Sequence, residues 1–294
     1  MPSIAVIGPG AIGGSVATWL AQDPDNQITV CARTPLDRLE LETPYGRLEA
    51  APTVVTTPAE ATPVDWVIIA TKAYDAAGAA SWLGALRRAA TKVAVLQNGV
   101  EHVERFTPYL PAEHIVPVII DLPGERTAPG RLRQRGDAWL EVPSSGAGAA
   151  FVALFRHTRI AARTTDDWTT IAWKKLCINS QGAISALLLK PTGVVAIEPI
   201  PELMRGIVRE CVAVGRAEGA RLDDDIVEAV VDGCRSAPAD GVNSLLADRR
   251  AGRPMEIDAR NGAIVRFGRR HGIPTPLNEM AVALLTAAQD DRTF

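Results

Sequence analysis

The sequence predicts an α/β protein, with an N-terminal Rossmann-type doubly wound parallel sheet followed by an all-α C-terminal domain. Three observations predict it. Unbroken apolar runs alternate with amphipathic stretches through the first half, as in parallel strands covered by helices on both faces. A glycine-rich run, Gly8-Pro9-Gly10-Ala11-Ile12-Gly13, follows the first apolar run directly. After about Thr165 the strand-like runs stop and long helical patterns take over. The expected division is therefore 1–165 and 166–294, and 294 residues suffice for two cores.

Residues 4–7 read as a strand ending at glycines, and 11–22 carry apolar residues at helical spacing. Residues 27–31 form a second strand. The runs at 66–70 (Trp-Val-Ile-Ile-Ala) and 93–96 (Val-Ala-Val-Leu) are buried strands bounded by polar turns, and 114–120 and 138–142 also read as strands. In the second half, 167–189 reads as one helix. Residues 201–218 form another, with proline at its start and Gly219 just past its end. Helices over 223–237, 241–251, 257–271 and 278–289 complete the chain. There is no internal repeat and no low-complexity tract.

Composition narrows the function. An apolar fraction of 47% and a charged fraction of 22% describe a globular protein. A net charge of −3 gives no broad pull toward nucleic acid or an anionic membrane, so an anionic ligand must be held by local positive charge. Cys31, Cys177, Cys211 and Cys234 are far apart, with neither zinc-site spacing nor a disulfide framework. The N-terminus enters a strand without a basic leader. No apolar run reaches the roughly 20 residues of a membrane span. The expected setting is reducing and cytoplasmic, with no metal and with a second copy of the chain as the one macromolecular partner to consider.

Gly8–Gly13 has the spacing of a dinucleotide turn in the right context, strand before and helix after. Gly8 permits the tight turn, Gly10 lets backbone approach a pyrophosphate, and Gly13 lets the helix pack on the sheet. The helix N-terminus offers free N–H groups to phosphate. An NAD enzyme usually places an acid about 20 residues further on, at the end of the second strand. Here Cys31-Ala32-Arg33-Thr34 stands there. A guanidinium can fork onto a 2′-phosphate, which favours NADP(H) over NAD(H); the alternative is an ordinary surface arginine. Lys72 follows the 66–70 strand and either adds a second charge near that phosphate or is a solvated loop lysine. Asn98, in Leu-Gln-Asn-Gly-Val, offers a donor and an acceptor to the crevice or simply makes an Asn-Gly turn.

In Trp173-Lys174-Lys175-Leu176-Cys177-Ile178-Asn179, Lys175 and Asn179 are four apart and share a helix face. Lysine is scarce in this chain: Lys72, Lys92, Lys174, Lys175 and Lys190 are the five, and arginine supplies the rest of the 31 cations. A lysine in an apolar helix either sits in a cleft or reaches solvent along its stem.

Together, Gly8–Gly13, Lys72, the run around Asn98, the Trp-Lys-Lys-Leu-Cys-Ile-Asn helix and the later Ser244…Glu256-Ile257-Asp258-x-x-Asn261-Gly262 run resemble the ketopantoate reductases, also called 2-dehydropantoate 2-reductases. The resemblance covers roughly residues 3–280. It implies NADPH-dependent reduction of ketopantoate to pantoate, a step toward coenzyme A. It implies that Lys175, not Lys174, donates the proton, and that Asn179 and Ser244 contact substrate. Asn98 would lie where cofactor and substrate meet, Glu256 near substrate and nicotinamide, and Arg33 and Lys72 at the 2′-phosphate. Two further substrate-side asparagines of the family fall, on an ungapped count, at Ala183 and Gly193, with Ser180, Gln181 and Ser185 as nearby compensators. That departure makes the reductase assignment firmer than its substrate, and a different small 2-oxo acid is the first alternative. A sensor that binds NADPH without turnover, or a 3-hydroxy acid dehydrogenase on the same plan, are the others.

Overall fold

The computed structural model describes residues 1–290. It divides into two compact units. One comprises Met1–Gln97 and His102–Asp166; the other comprises Asn98–Glu101 and the chain from Asp167 onward.

The first unit is built on a six-stranded sheet of β1 (Ser3–Ile7), β2 (Gln27–Cys31), β3 (Thr53–Val55), β4 (Trp66–Ile69), β5 (Lys92–Val95) and β6 (Ile115–Pro117). The strand order is β3-β2-β1-β4-β5-β6, and every neighbouring pair is parallel. Strand order reverses at β1, which opens a crevice beyond the carboxyl ends of β1 and β4. The apolar runs are continuous because alternate residues enter different cores. Ile4 and Val6 pack with Val16 and Leu20 on one face, whereas Ala5 and Ile7 pack with Val67, Leu86 and Phe106 on the other.

Helix α1 (Ala11–Leu20) lies between this sheet and a four-stranded sheet ordered Gly124–Ala128, Arg131–Gln134, Leu39–Thr43, Gly46–Ala50. Leu39, Leu41 and Leu132 complete the core around α1, and Trp19 Nε1 donates to Gln134 Oε1 at 2.9 Å inside it. The sequence did not predict this sheet, since its short strands carry charge on one face (Leu-Glu-Leu-Glu-Thr) and bury only every second residue. The single strand expected over 114–120 divides after Pro117. Ile115–Pro117 closes the parallel sheet, and Ile119–Asp121 joins Ala138–Pro143 and Ile160–Thr165 in a separate three-stranded sheet.

The second unit consists of α2 (Trp168–Ser180), α3 (Gly182–Leu188), α4 (Ile200–Ala217), α5 (Ile226–Ser236), α6 (Ser244–Arg250), α7 (Ala263–His271) and α8 (Pro276–Gln289), with short 3₁₀ and π turns. Trp173, Leu176 and Cys177 of α2 pack on Val208, Cys211 and Val212 of α4 and on Ile264 and Phe267 of α7. The helix expected over 167–189 breaks at Gln181, whose ψ of −22° tightens the turn. The helix expected over 257–271 begins with a wide turn, in which the Gly262 N–H donates to the Ile257 carbonyl at 3.0 Å. It ends at Gly272, a left-handed cap with φ +64°. All four cysteines are free thiols, and burial pushes Cys31 up to about 12. Among the described residues no cluster could hold a metal ion, and no helix is long and apolar enough to cross a membrane.

Two glycines of the first turn differ in what surrounds them. A Cβ on Gly13 would lie 2.3 Å from the Gly8 carbonyl oxygen and 2.8 Å from Ala70 Cβ, whereas one on Gly10 would meet nothing within 4 Å. Gly13→Ala is expected to destabilise the protein by about 1–3 kcal/mol through overpacking, and Gly10→Ala by a small fraction of that. Thermal unfolding of the two variants side by side tests this; equal losses would refute the packing argument.

Candidate active site

In the first unit, Gly8 follows β1 with φ +88° and its Cβ position is blocked by Thr71, so only glycine turns the chain here without strain. Pro9, Gly10, Ala11 and Ile12 are partly exposed. Gly10 is the N-cap of α1, and no side chain caps that helix or places an acid in its first turn. The first-turn N–H groups are therefore left to an external acceptor, beside open space above Gly10. This cradle fits a pyrophosphate. Arg33 is exposed two residues beyond β2, and no acid adjoins it in sequence before Asp37. Lys72 is partly buried beyond β4, and its backbone carbonyl accepts from Gln97 Nε2 at 3.3 Å. The donor set suits a dinucleotide with an additional phosphate on its ribose.

The second unit holds a polar cluster. Lys175 and Asn179, both partly buried, lie one turn apart on α2, while Lys174 is exposed. Asn179 Nδ2 donates to Asn98 Oδ1 at 3.3 Å, and Asn98 Nδ2 donates to Glu256 Oε2 at 2.9 Å. Asn98 is followed by Gly99 at φ +100°, which turns the chain so that Val100 enters the core with Trp173. Glu256 is only 5% exposed. Ser244 is exposed at the first turn of α6, whose N-terminus Asn243 caps by accepting from the Leu246 N–H at 3.0 Å. Asn98, Asn179, Ser244 and Glu256 thus meet in one region, with Lys175 on the same helix.

What joins Ser244 to the rest is a residue that sequence reasoning passed over. Arg260, in the wide turn, is 2% exposed. Its Nη1 donates to Ser244 Oγ at 3.1 Å, and its Nη2 donates to the Asn179 carbonyl. Burial pushes the guanidinium down to about 10, against the opposing pull of Glu256 and then Asp248. It is still charged at neutral pH. The signal was present in the sequence: Ile257, Arg260 and Ile264 share the buried face of a helix, and a cation there needs partners.

The two expected asparagine positions are not polar sites. Ala183 is buried in an apolar cluster with Leu245, Met255 and Ile257. Gly193 packs against the chain at Ala239, where a Cβ would lie 2.9 Å from a carbonyl oxygen. Of the candidate compensators, Ser180 is buried and spends its hydroxyl on the Cys177 carbonyl at 2.9 Å, Gln181 donates to the Ile178 carbonyl at 3.3 Å, and Ser185 is buried. The space beside α3 is filled from elsewhere. A Cβ on Gly182 would lie 3.1 Å from Arg260 Nη2 and 3.2 Å from Asn243 Nδ2.

Known proteins share this architecture. Residues 4–146 match the family model of ketopantoate reductase PanE/ApbA, and residues 167–289 match that of its C-terminal part. A 2-dehydropantoate 2-reductase of Caulobacter vibrioides is 55% identical over 98% of this chain and 99% of its own length. One from Mycobacterium tuberculosis is 43% identical over 98% of each chain. Among solved structures, a ketopantoate reductase of the PanE/ApbA family from Ralstonia eutropha superposes with a TM-score of 0.90 at 29% identity, covering 98% of both chains. The 2-dehydropantoate 2-reductase of Geobacter metallireducens gives 0.91 at 26% identity, over 97% of this chain and 99% of the other. With both family models matched and relatives this close along the whole chain, the protein belongs to the ketopantoate reductase family.

Proposed function

We propose that the chain is an NADP-dependent oxidoreductase that reduces 2-dehydropantoate (ketopantoate) to pantoate, in the route to pantothenate and coenzyme A. The observation that carries this reading is the polar cluster: an ammonium one helical turn from an amide that leads, through Asn98, into a buried carboxylate. Hydride transfer to a ketone needs a cation and a proton donor at its oxygen. Bound NADPH supplies the hydride to the ketone carbon. Lys175 stabilises the charge developing on the ketone oxygen and gives it a proton, yielding the 2-hydroxy acid. Glu256 fixes the Asn98 amide by accepting from it, so Asn98 Oδ1 is held toward Asn179. Asn179 and Ser244 hold the acid's polar groups.

Gly8–Gly13 with the first turn of α1 hold the pyrophosphate, and Arg33 and Lys72 hold the 2′-phosphate. Asn98 and Glu256 border the nicotinamide end. The four free thiols suit the reducing cytoplasm. A homodimer belongs to the same reading: Leu188, Leu189, Leu203, Met280 and Leu284 of the helical unit are exposed, surface of the kind an interface covers.

Steady-state kinetics with NADPH, ketopantoate and a panel of small 2-oxo acids is the direct test. Ketopantoate should give the highest kcat/KM; a panel member that matches it would transfer the reading to another 2-oxo acid, and no turnover at all would leave only a binding protein. Lys175→Ala should lower kcat by about 100- to 10,000-fold with NADPH affinity, measured by fluorescence titration, unchanged. Arg33→Ala should raise KM for NADPH by about tenfold or more, as loss of a charge-assisted contact implies, and leave KM for NADH where it was. A uniform change for both cofactors would remove Arg33 from the 2′-phosphate.

A further inference from the structure

We infer that Arg260 is a positioning residue for the substrate carboxylate, acting through the hydroxyl of Ser244. The inference rests on the 2-oxo acid reductase reading above and names the group that compensates for the apolar positions 183 and 193.

A serine side chain has one donor and two acceptor lone pairs. Arg260 Nη1 donates to Ser244 Oγ at 3.1 Å, from the buried side. A guanidinium has no acceptor, so the serine proton cannot point back along that bond. Ser244 is exposed, and its O–H is left to donate outward, toward an acceptor arriving from solvent. A carboxylate is acceptor-only and suits that donor. With a neutral apolar residue at 260, the hydroxyl would rotate freely and lose this polarity.

Arg260 lies in the field of Glu256 and Asp248, and Arg253 Nε pairs with Asp248 at 3.0 Å. Few donors elsewhere in the cluster can do this work. Position 183 is buried among apolar side chains, position 193 has no room for a side chain, and Ser180 is committed to the Cys177 carbonyl. The volume beside Gly182 is held by the Arg260 and Asn243 head groups, and Arg260 Nε has no hydrogen-bond partner. That cost is tolerated in a group held for another purpose than stability.

Kinetics of Arg260→Gln, Arg260→Lys, Ser244→Ala and the Arg260→Gln/Ser244→Ala double variant test the inference, with thermal unfolding as the control for folding. Arg260→Gln and Ser244→Ala should each raise KM for the 2-oxo acid by about tenfold, with kcat and the KM for NADPH within about twofold of wild type. The double variant should be no worse than the worse single one, because both changes remove the same contact. A Ser244→Ala enzyme with wild-type KM, an Arg260→Gln enzyme that loses kcat and both KM values together, or fully additive losses would overturn it. If Arg260→Gln does not fold, Arg260→Lys, which keeps the charge but not the fork, decides. Its KM for the acid should rise severalfold in the presence of Ser244 and not in its absence; a wild-type KM would overturn the inference. A wild-type enzyme that turns over no 2-oxo acid fails the reductase reading instead, so the two failures are distinguishable.

Discussion

Taking a guanidinium out of water costs several kcal/mol even after relaxation, and the second unit is arranged around meeting that demand at Arg260. The wide turn at Asp258–Gly262 allows Arg260 and Asn261 both to face inward, although they are consecutive. Asn261 Nδ2 then donates to the Ser180 carbonyl at 3.0 Å and to Asn278 Oδ1 at 2.9 Å. The first of these, with the Arg260 bond to the Asn179 carbonyl, takes up carbonyls left open where α2 ends. Asn278 in turn donates to Glu210 Oε2 at 2.7 Å, and Glu210 accepts the Leu277 and Asn278 N–H groups that begin α8. One five-residue turn therefore connects the C-terminus of α2, the N-terminus of α8 and the polar cluster. Through Arg260 it holds the Asn179 carbonyl and the Ser244 hydroxyl.

The first unit solves a different problem, by removing atoms instead of pairing them. Its turn works because Gly8 can take φ +88° and because Gly13 leaves room for the Gly8 carbonyl. Gly14 makes a third such approach, since a Cβ there would lie 2.7 Å from Leu132 of the four-stranded sheet. Missing side chains let α1 sit close to strands on both sides, and the helix N-terminus is aimed by that packing.

Much of this was legible in the sequence, for identifiable reasons. Strands β1, β4 and β5 hold short apolar runs because both faces are covered, and their length and flanking turn residues mark them as strands. The glycine turn announced itself by spacing and context. The helices of the second half appeared with starts and stops within a few residues, since proline and glycine mark them. What escaped were features that depend on partners distant in the chain. The Leu39–Thr43 strand is half charged because its outer face is solvated, and only its pairing with Arg131–Gln134 makes it a strand. The break at Gln181 is flanked by the Asn179 and Gly182 carbonyls, which accept from Arg260 and Asn243, some 60 to 80 positions away. Arg260 itself looked like an unremarked x in a motif, because its importance lies in a bond to Ser244 that no local pattern reveals.

Asn98–Glu101 belong to the helical unit although the chain around them folds with the other. Val100 packs with Trp173 and its neighbours, and Glu101 pairs with Arg266, so four residues about a third of the way along the chain complete a body otherwise built from Asp167 onward. The polypeptide passes between the bodies three times, after Gln97, after Glu101 and after Asp166. No single cut separates them cleanly. A fragment ending at Asp166 carries an orphaned apolar side chain out of its β5 exit loop, and the complementary fragment is born without Asn98. Recombination between relatives would have to exchange that short loop together with the helical body to keep either one whole.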